Sequence, residues 1–177
     1  MDPRMSDLII RDARAGDREI IRDVTLSAYQ QYAAVMQTHW DGYRRNILTT
    51  LEDVKAAEQI VAEQRGTIVG TVLLYPARTV FTAPNRASVT LAWPEVRLLA
   101  VAPAARGQGI GVALMRECVR RARQSGAAAL TLHTHDIMAV AMRMYERMGF
   151  VRDPDLDFHP AKDVTIKGYR LSLTEDA

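Results

Sequence analysis

The stretch 95–112, EVRLLAVAPAARGQGIGV, constrains this chain more than any other. An apolar run, Val96, Leu98, Leu99, Ala100 and Val101, is stopped by Pro103. A loop follows in which Gly107, Gly109 and Gly111 alternate as the next helical pattern begins. This order predicts a strand, a tight basic turn and a helix start. Such a turn suits an anion. Glycines let the backbone bend through positive φ and let a bulky ligand come close, and the first amides of a helix have no intrahelical partner. Two familiar phosphate loops are excluded. The Gly-Lys-Ser/Thr ending of a P-loop is absent, and a dinucleotide fingerprint needs a glycine where Val112 stands and an acidic residue where Leu132 and His133 end the next strand.

A third loop fits. Arg106-Gly107-Gln108-Gly109-Ile110-Gly111 resembles the Arg/Gln-x-x-Gly-x-Gly/Ala loop of the GNAT acyltransferases. EVRLLAVAP is similar to that family's fourth strand, and AVAMRMYERMGFV to its last helix and the strand after it, so the resemblance covers about residues 95–152. It implies a single α/β domain over residues 1–177, a mixed and largely antiparallel central sheet with helices on both faces. It implies an N-acetyltransferase that moves the acetyl group of acetyl-coenzyme A to an amine by direct attack in a ternary complex, with no metal. Alternatives are a longer acyl donor, a protein amine as acceptor, or a coenzyme-binding sensor without turnover. By the resemblance, Arg106, Gly107, Gln108, Gly109, Ile110, Gly111 and Val112 hold the pyrophosphate, and the main chain of Leu99, Ala100 and Val101 binds the pantetheine and polarises the thioester.

Acyl transfer from a thioester to an amine needs a neutral amine, a donor for the developing oxyanion and help for the departing thiolate. Glu95 starts the strand at the place where many family members carry a carboxylate base. A carboxylate near pKa 4.3 is a poor match for an alkylammonium near 10, so its pKa must be raised, or it must act through water or after attack. Tyr145 matches the family's tyrosine beside the coenzyme sulfur. Full proton transfer from a phenol of pKa about 10 to a thiolate of about 8.5 is uphill by roughly 2 kcal/mol, so a hydrogen bond to the sulfur is its expected help. One departure stands out. Many relatives have an asparagine seven residues before this tyrosine that bonds the pantetheine, and this chain has Met138.

In the family the acceptor cleft is lined by the loop between the first two helices and by the last strand-to-strand connection, here 37–43 and 153–167. His39, Trp40 and Tyr43 in one, with Asp153, Asp155, Asp157, Phe158 and His159 in the other, suit a cationic amine with an apolar portion, on a small molecule or a peptide. His133 shares a strand face with Thr131 and borders that site. His133, His135 and Asp136 make a weak metal case, lacking a clear third ligand.

Composition narrows the partners. The net charge of +2 gives no argument for nucleic acid or membrane, and 48% apolar with 25% charged residues is ordinary for a globular chain. The single Cys118 cannot form an internal disulfide and reads as a small core hydrophobe; no apolar run is long enough to span a membrane, and residues 1–7 lack the apolar core of a signal peptide. A cytoplasmic protein is expected. A homodimer is expected from resemblance only.

The remaining elements follow from periodicity. Residues 8–11 read as a strand, followed by a helical stripe from Ile20 through Tyr29 and Tyr32 to Val35, a break near Thr38, and a helix over 40–51. Residues 60–64 and 67–75 read as a hairpin turning at Arg65-Gly66, and 77–94, with Pro84-Asn85 at its middle, as its extension towards the fourth strand. Helices are expected over 109–124 and, capped by Asp136, up to Met148, with strands at 128–133 and 169–173 and with the methionines as core filler.

Overall fold

The computed structural model describes residues 7–54, 56–82 and 88–174, so the Pro84-Asn85 bend and the first six residues lie outside it. In chain order the elements are β1 (Leu8–Asp12), α1 (Arg18–Tyr29), α2 (Ala33–Met36), α3 (Trp40–Glu52), β2 (Glu58–Gln64), β3 (Thr67–Tyr75), β4 (Val80–Phe81), β5 (Val89–Thr90), β6 (Glu95–Val101), α4 (Ile110–Gln124), β7 (Ala129–Thr134), α5 (Ala139–Arg147), β8 (Val151–Arg152), β9 (Phe158–Ala161) and β10 (Val164–Ser172). The fold is mixed α/β, a large, mostly antiparallel sheet flanked by helices.

Two compact units are woven from alternating stretches: residues 1–74 with 98–117, and 75–97 with 118–177. In the first unit the strands run β1-β2-β3-β6. Arg65 and Gly66 both take positive φ, 51° and 75°, the geometry that matches a two-residue turn to the twist of the hairpin β2–β3. On α1, Ile21, Val24, Thr25, Ala28 and Tyr29 are buried at helical spacing, and Ile21 and Val24 pack with Val61 and Ile68. The start of α4 seats directly on β3. A Cβ on Gly70 would lie 3.0 Å from Ile110 and Leu114 side-chain carbons and 3.2 Å from the Ala100 carbonyl, so glycine sets how closely the helix start approaches the sheet.

In the second unit the order is β6-β7-β10-β8, with β9 on β10. β6 and β7 are parallel, Glu95 opposite Thr131 and Val96 opposite Leu132, while β10 runs antiparallel to β7, β8 and β9. β4 and β5 form their own two-stranded ribbon rather than a prolongation of the β2–β3 hairpin.

Several local expectations need correcting. The stripe beyond Tyr29 breaks into a 3-10 turn and the four-residue α2, and Val35 is 63% exposed, because Gln37 at its end turns to φ 47°. Asp136 does not cap α5. The His135 ring accepts the Ile137 amide instead, and Asp136 pairs with Lys167. Met138, Met142 and Met148 are only half-buried, whereas Met115 on α4 is wholly inside.

Candidate active site

The first unit supplies a site made of backbone. After the 3-10 turn Pro103–Ala105, Arg106 is extended, Gly107 and Gly109 take φ 74° and 77°, and α4 begins at Ile110. The first helical bond is donated by the Ala113 amide to the Gly109 carbonyl at 3.0 Å, so the amides of Ile110, Gly111 and Val112 precede the ladder. They gather positive potential at the helix N-terminus, where an anion is best held. Nothing lies within 4 Å of where a Gly107 Cβ would stand, so its glycine serves the turn rather than packing.

Arg106 reaches away from that opening. Its Nη2 donates to the Ala28 carbonyl at 2.9 Å and its Nη1 to Gln31 Oε1 at 3.2 Å, tying the loop to the C-terminal end of α1. Its own amide donates to the Pro103 carbonyl at 3.4 Å, so the open amides are those that follow it. Along β6, Leu98 sits at φ 49°, a conformation a branched side chain takes only where neighbours enforce it. Beyond it Leu99 and Val101 are half-buried, and the Tyr29 hydroxyl donates to the Leu99 carbonyl at 3.2 Å. Tyr29 anchors an aromatic group: its ring lies 6.0 Å from those of Tyr32 and Tyr43, and Trp40 lies 6.3 Å from Tyr43. Burial pushes the Tyr43 phenol well above its ordinary range. His39 is exposed in the turn before α3.

The second unit supplies a site made of side chains. Glu95 is buried, and both its oxygens are engaged: Arg97 Nε donates to Oε1 at 2.5 Å, and His133 Nδ1 lies 3.3 Å from Oε2. Arg97 in turn covers the Phe81 ring at 3.7 Å. The other His133 nitrogen, Nε2, lies 2.8 Å from the Leu156 carbonyl, and Phe158 meets the imidazole edge-on at 5.2 Å. Burial alone would raise the Glu95 pKa, but the His133 hydrogen bond and the Arg97 charge outweigh it and hold the carboxyl below its ordinary value. For His133, burial opposes the cation, yet the bonds to Glu95 and the Leu156 carbonyl prevail and raise it.

The turn that brings Leu156 to His133 rests on Gly168, the residue paired with His133 across β7 and β10. A Cβ there would fall 2.3 Å from the Leu156 Cβ and 3.0 Å from the Asp153 carbonyl. The Gly168 amide donates to Asp157 at 2.9 Å, and its carbonyl accepts from Arg152 Nη1 and the Asp153 amide, each at 3.0 Å. Two of the aspartates expected to face an amine are therefore occupied: Asp157 pairs with Arg152 at 2.5 Å and Asp153 with Arg170 at 3.1 Å. Tyr145 is buried on α5, its ring 6.0 Å from that of Phe150. Thr134, at the end of β7, has a buried hydroxyl without a hydrogen-bond partner.

Of the expected residues, Leu99 receives the Tyr29 hydroxyl on its carbonyl, and Glu95 meets His133. Arg97, the Leu156 carbonyl and Gly168 were not anticipated. Arg97 alone carried a local signal, since residues two apart on a strand share a face.

Comparison with known proteins identifies the family and the fold. The sequence pattern described as the Acetyltransferase (GNAT) family matches residues 19–150. An uncharacterised N-acetyltransferase of Schizosaccharomyces pombe is 26% identical over 113 residues, 64% of this chain and 63% of the yeast protein. The chain thus spans just under two thirds of that relative. Among solved structures, an acetyltransferase of the GNAT family from Staphylococcus aureus superposes with TM-score 0.70 at 18% identity, covering 94% of this chain and 99% of the other. One from Brucella melitensis, solved in complex with acetyl-CoA, gives 0.60 at 24% identity, covering 96% and 90%. These similarities share the fold.

Proposed function

Because the chain belongs to the Acetyltransferase (GNAT) family, we propose that it transfers the acetyl group of acetyl-CoA to an amine by direct attack in a ternary complex. The observation that carries this reading is the loop 106–112, where two positive-φ glycines lead into three helix-start amides that no carbonyl of the helix claims. Pyrophosphate oxygens satisfy those amides. The half-buried apolar side chains of Leu99 and Val101 line the strand along which the pantetheine lies. Acetyl-CoA is the complex partner of the Brucella structure, which supports it as the donor here.

Within this reading Glu95 supplies the negative charge on the amine side of the reaction, and Tyr145 hydrogen-bonds the leaving sulfur. The acceptor is an amine on an aromatic or apolar body, on a small molecule or a peptide. Trp40 and Tyr43 favour such a body, while Asp153 and Asp157 are spent on Arg170 and Arg152 and offer no clamp for a second positive charge.

A thermal shift tests the donor. Acetyl-CoA at about 100 times its Kd adds roughly 2.7 kcal/mol, a rise on the order of 5–10 °C for a chain of this size. A rise with acetyl-CoA that other nucleotides do not give is the expected result; no rise at millimolar acetyl-CoA removes the basis of the reading.

A further inference from the structure

We infer that the group which takes the acceptor's proton is the His133 imidazole at Nε2, with the buried Glu95 carboxylate holding it from behind; the inference rests on the acetyl-transfer reading and assigns its proton step. Geometry decides between the two residues. A general base must come within hydrogen-bond reach of the proton it removes. The Glu95 side chain is 3% exposed and both its oxygens are taken, Oε1 by Arg97 and Oε2 by His133. The His133 side chain is 20% exposed, so of these two groups it is the one an amine can reach; Arg97, at the far end of the row and 35% exposed, is a cation and takes no proton.

Both ring nitrogens face acceptors, the Glu95 carboxylate and the Leu156 carbonyl. Only the imidazolium, which carries a proton on each nitrogen, satisfies both at once. The arrangement is therefore that of the ring after it has gained a proton. The groups facing it are Glu95 and Arg97 from β6, the Leu156 carbonyl from the turn seated on Gly168, and the Phe158 ring from β9. The anion and the carbonyl favour the cation, and Arg97 opposes it.

Neutral His133 keeps its Nδ1–H on Glu95 and turns the Nε2 lone pair to the amine. The amine nitrogen bonds to the thioester carbonyl carbon and gives its proton to Nε2. The C–S bond breaks with its electron pair on sulfur, and coenzyme A leaves as the thiolate. The new imidazolium donates Nε2–H to the Leu156 carbonyl, then returns its proton through solvent to the thiolate. Glu95 is a positioning residue here: it fixes the tautomer with Nε2 free and strengthens the base, the role a carboxylate plays behind a catalytic histidine.

Two measurements test this on the full chain. The first is a two-bond proton–nitrogen NMR titration, with the His133 signal among the four histidines assigned through H133N. The expected result is a doubly protonated ring that titrates above the ordinary value of 6.5 to the Nδ1–H tautomer, and that titrates lower in E95Q. A neutral ring protonated at Nε2, or titration at or below 6.5 in the wild type, overturns the proposal. The second is thiol release from acetyl-CoA with 2-phenylethylamine as the probe amine, across pH 6 to 10. H133N lowers kcat by about 100-fold or more, leaves the KM for acetyl-CoA within about threefold, and abolishes the acidic breakpoint. E95Q keeps the breakpoint but moves it to lower pH. H133N that retains wild-type rate and breakpoint, with E95Q inactive, overturns the proposal and makes the carboxylate the direct base. The NMR result stands whether or not the probe amine turns over. Loss of the acetyl-CoA thermal shift in the wild type would sink the donor reading and leave the titration untouched.

Discussion

The loop before α4 and the Glu95–His133 pair are built from different parts of the polypeptide. The loop presents main-chain amides, aimed by Gly107 and Gly109, and its Arg106 side chain serves to tie it to Ala28 and Gln31. The pair uses side chains from two strands, backed by Arg97 and met by a carbonyl from a third segment. A backbone site tolerates changes of residue type but not of conformation, whereas a side-chain site does the reverse. Substitutions that alter one property at a time separate the two.

The largest effect is expected from Gly109→Val. At φ 77° a β-branched residue costs on the order of 1–3 kcal/mol, and it obstructs the approach of a phosphate. The acetyl-CoA thermal shift disappears while the imidazole titration of His133 is unchanged. Retained binding would mean that the loop is not the anion site.

Gly168→Ala comes next. Its Cβ collides with Leu156 and with the Asp153 carbonyl, and backbone has no rotamer with which to retreat. About 1–3 kcal/mol of stability is lost, seen as a lower Tm. The Leu156 carbonyl also leaves His133, so the histidine titrates at lower pH than in the wild type.

A smaller effect is the pH dependence of the pair itself. His133 is raised above 6.5 in the folded chain, so its contribution is complete below 6.5 and fades as pH climbs through the folded value. Glu95 is lowered below 4.5, so its contribution is complete above 4.5 and fades as pH falls through the folded value. A double-mutant cycle with H133N and E95Q should give its greatest coupling between 4.5 and 6.5, about 1–2 kcal/mol, diminishing towards pH 9. A flat profile would show that the pair is uncharged.

Thr134→Val is expected to act least on stability, and in the favourable direction. Replacing an unpaired buried hydroxyl by a methyl group stabilises the chain by up to about 1 kcal/mol, seen as a slightly higher Tm. A lower Tm would mean that the hydroxyl is satisfied in the folded chain.

The loop was legible because it is contiguous: strand, turn and helix start all lie within residues 95–112, and each glycine's task is local. The hairpin at Arg65-Gly66 was legible for the same reason. The acceptor side was not. That His133 would meet Leu156 depends on the register that sets Gly168 opposite it, and register follows from the whole sheet. The aspartates of 153–157 looked free because nothing in their neighbourhood revealed that Arg152 and Arg170 would claim two of them. At the start of α5 two adjacent side chains were both able to cap the turn. His135 does so, since Lys167 on β10 takes Asp136.

Cys118, the sole cysteine, is wholly buried on α4. A thiol reagent added to the native protein therefore finds no protein sulfur to label, and any colour it develops with acetyl-CoA comes from the product. The same residue is a clock: under conditions that favour opening, the rate at which it becomes labelled counts excursions of the helix from the core.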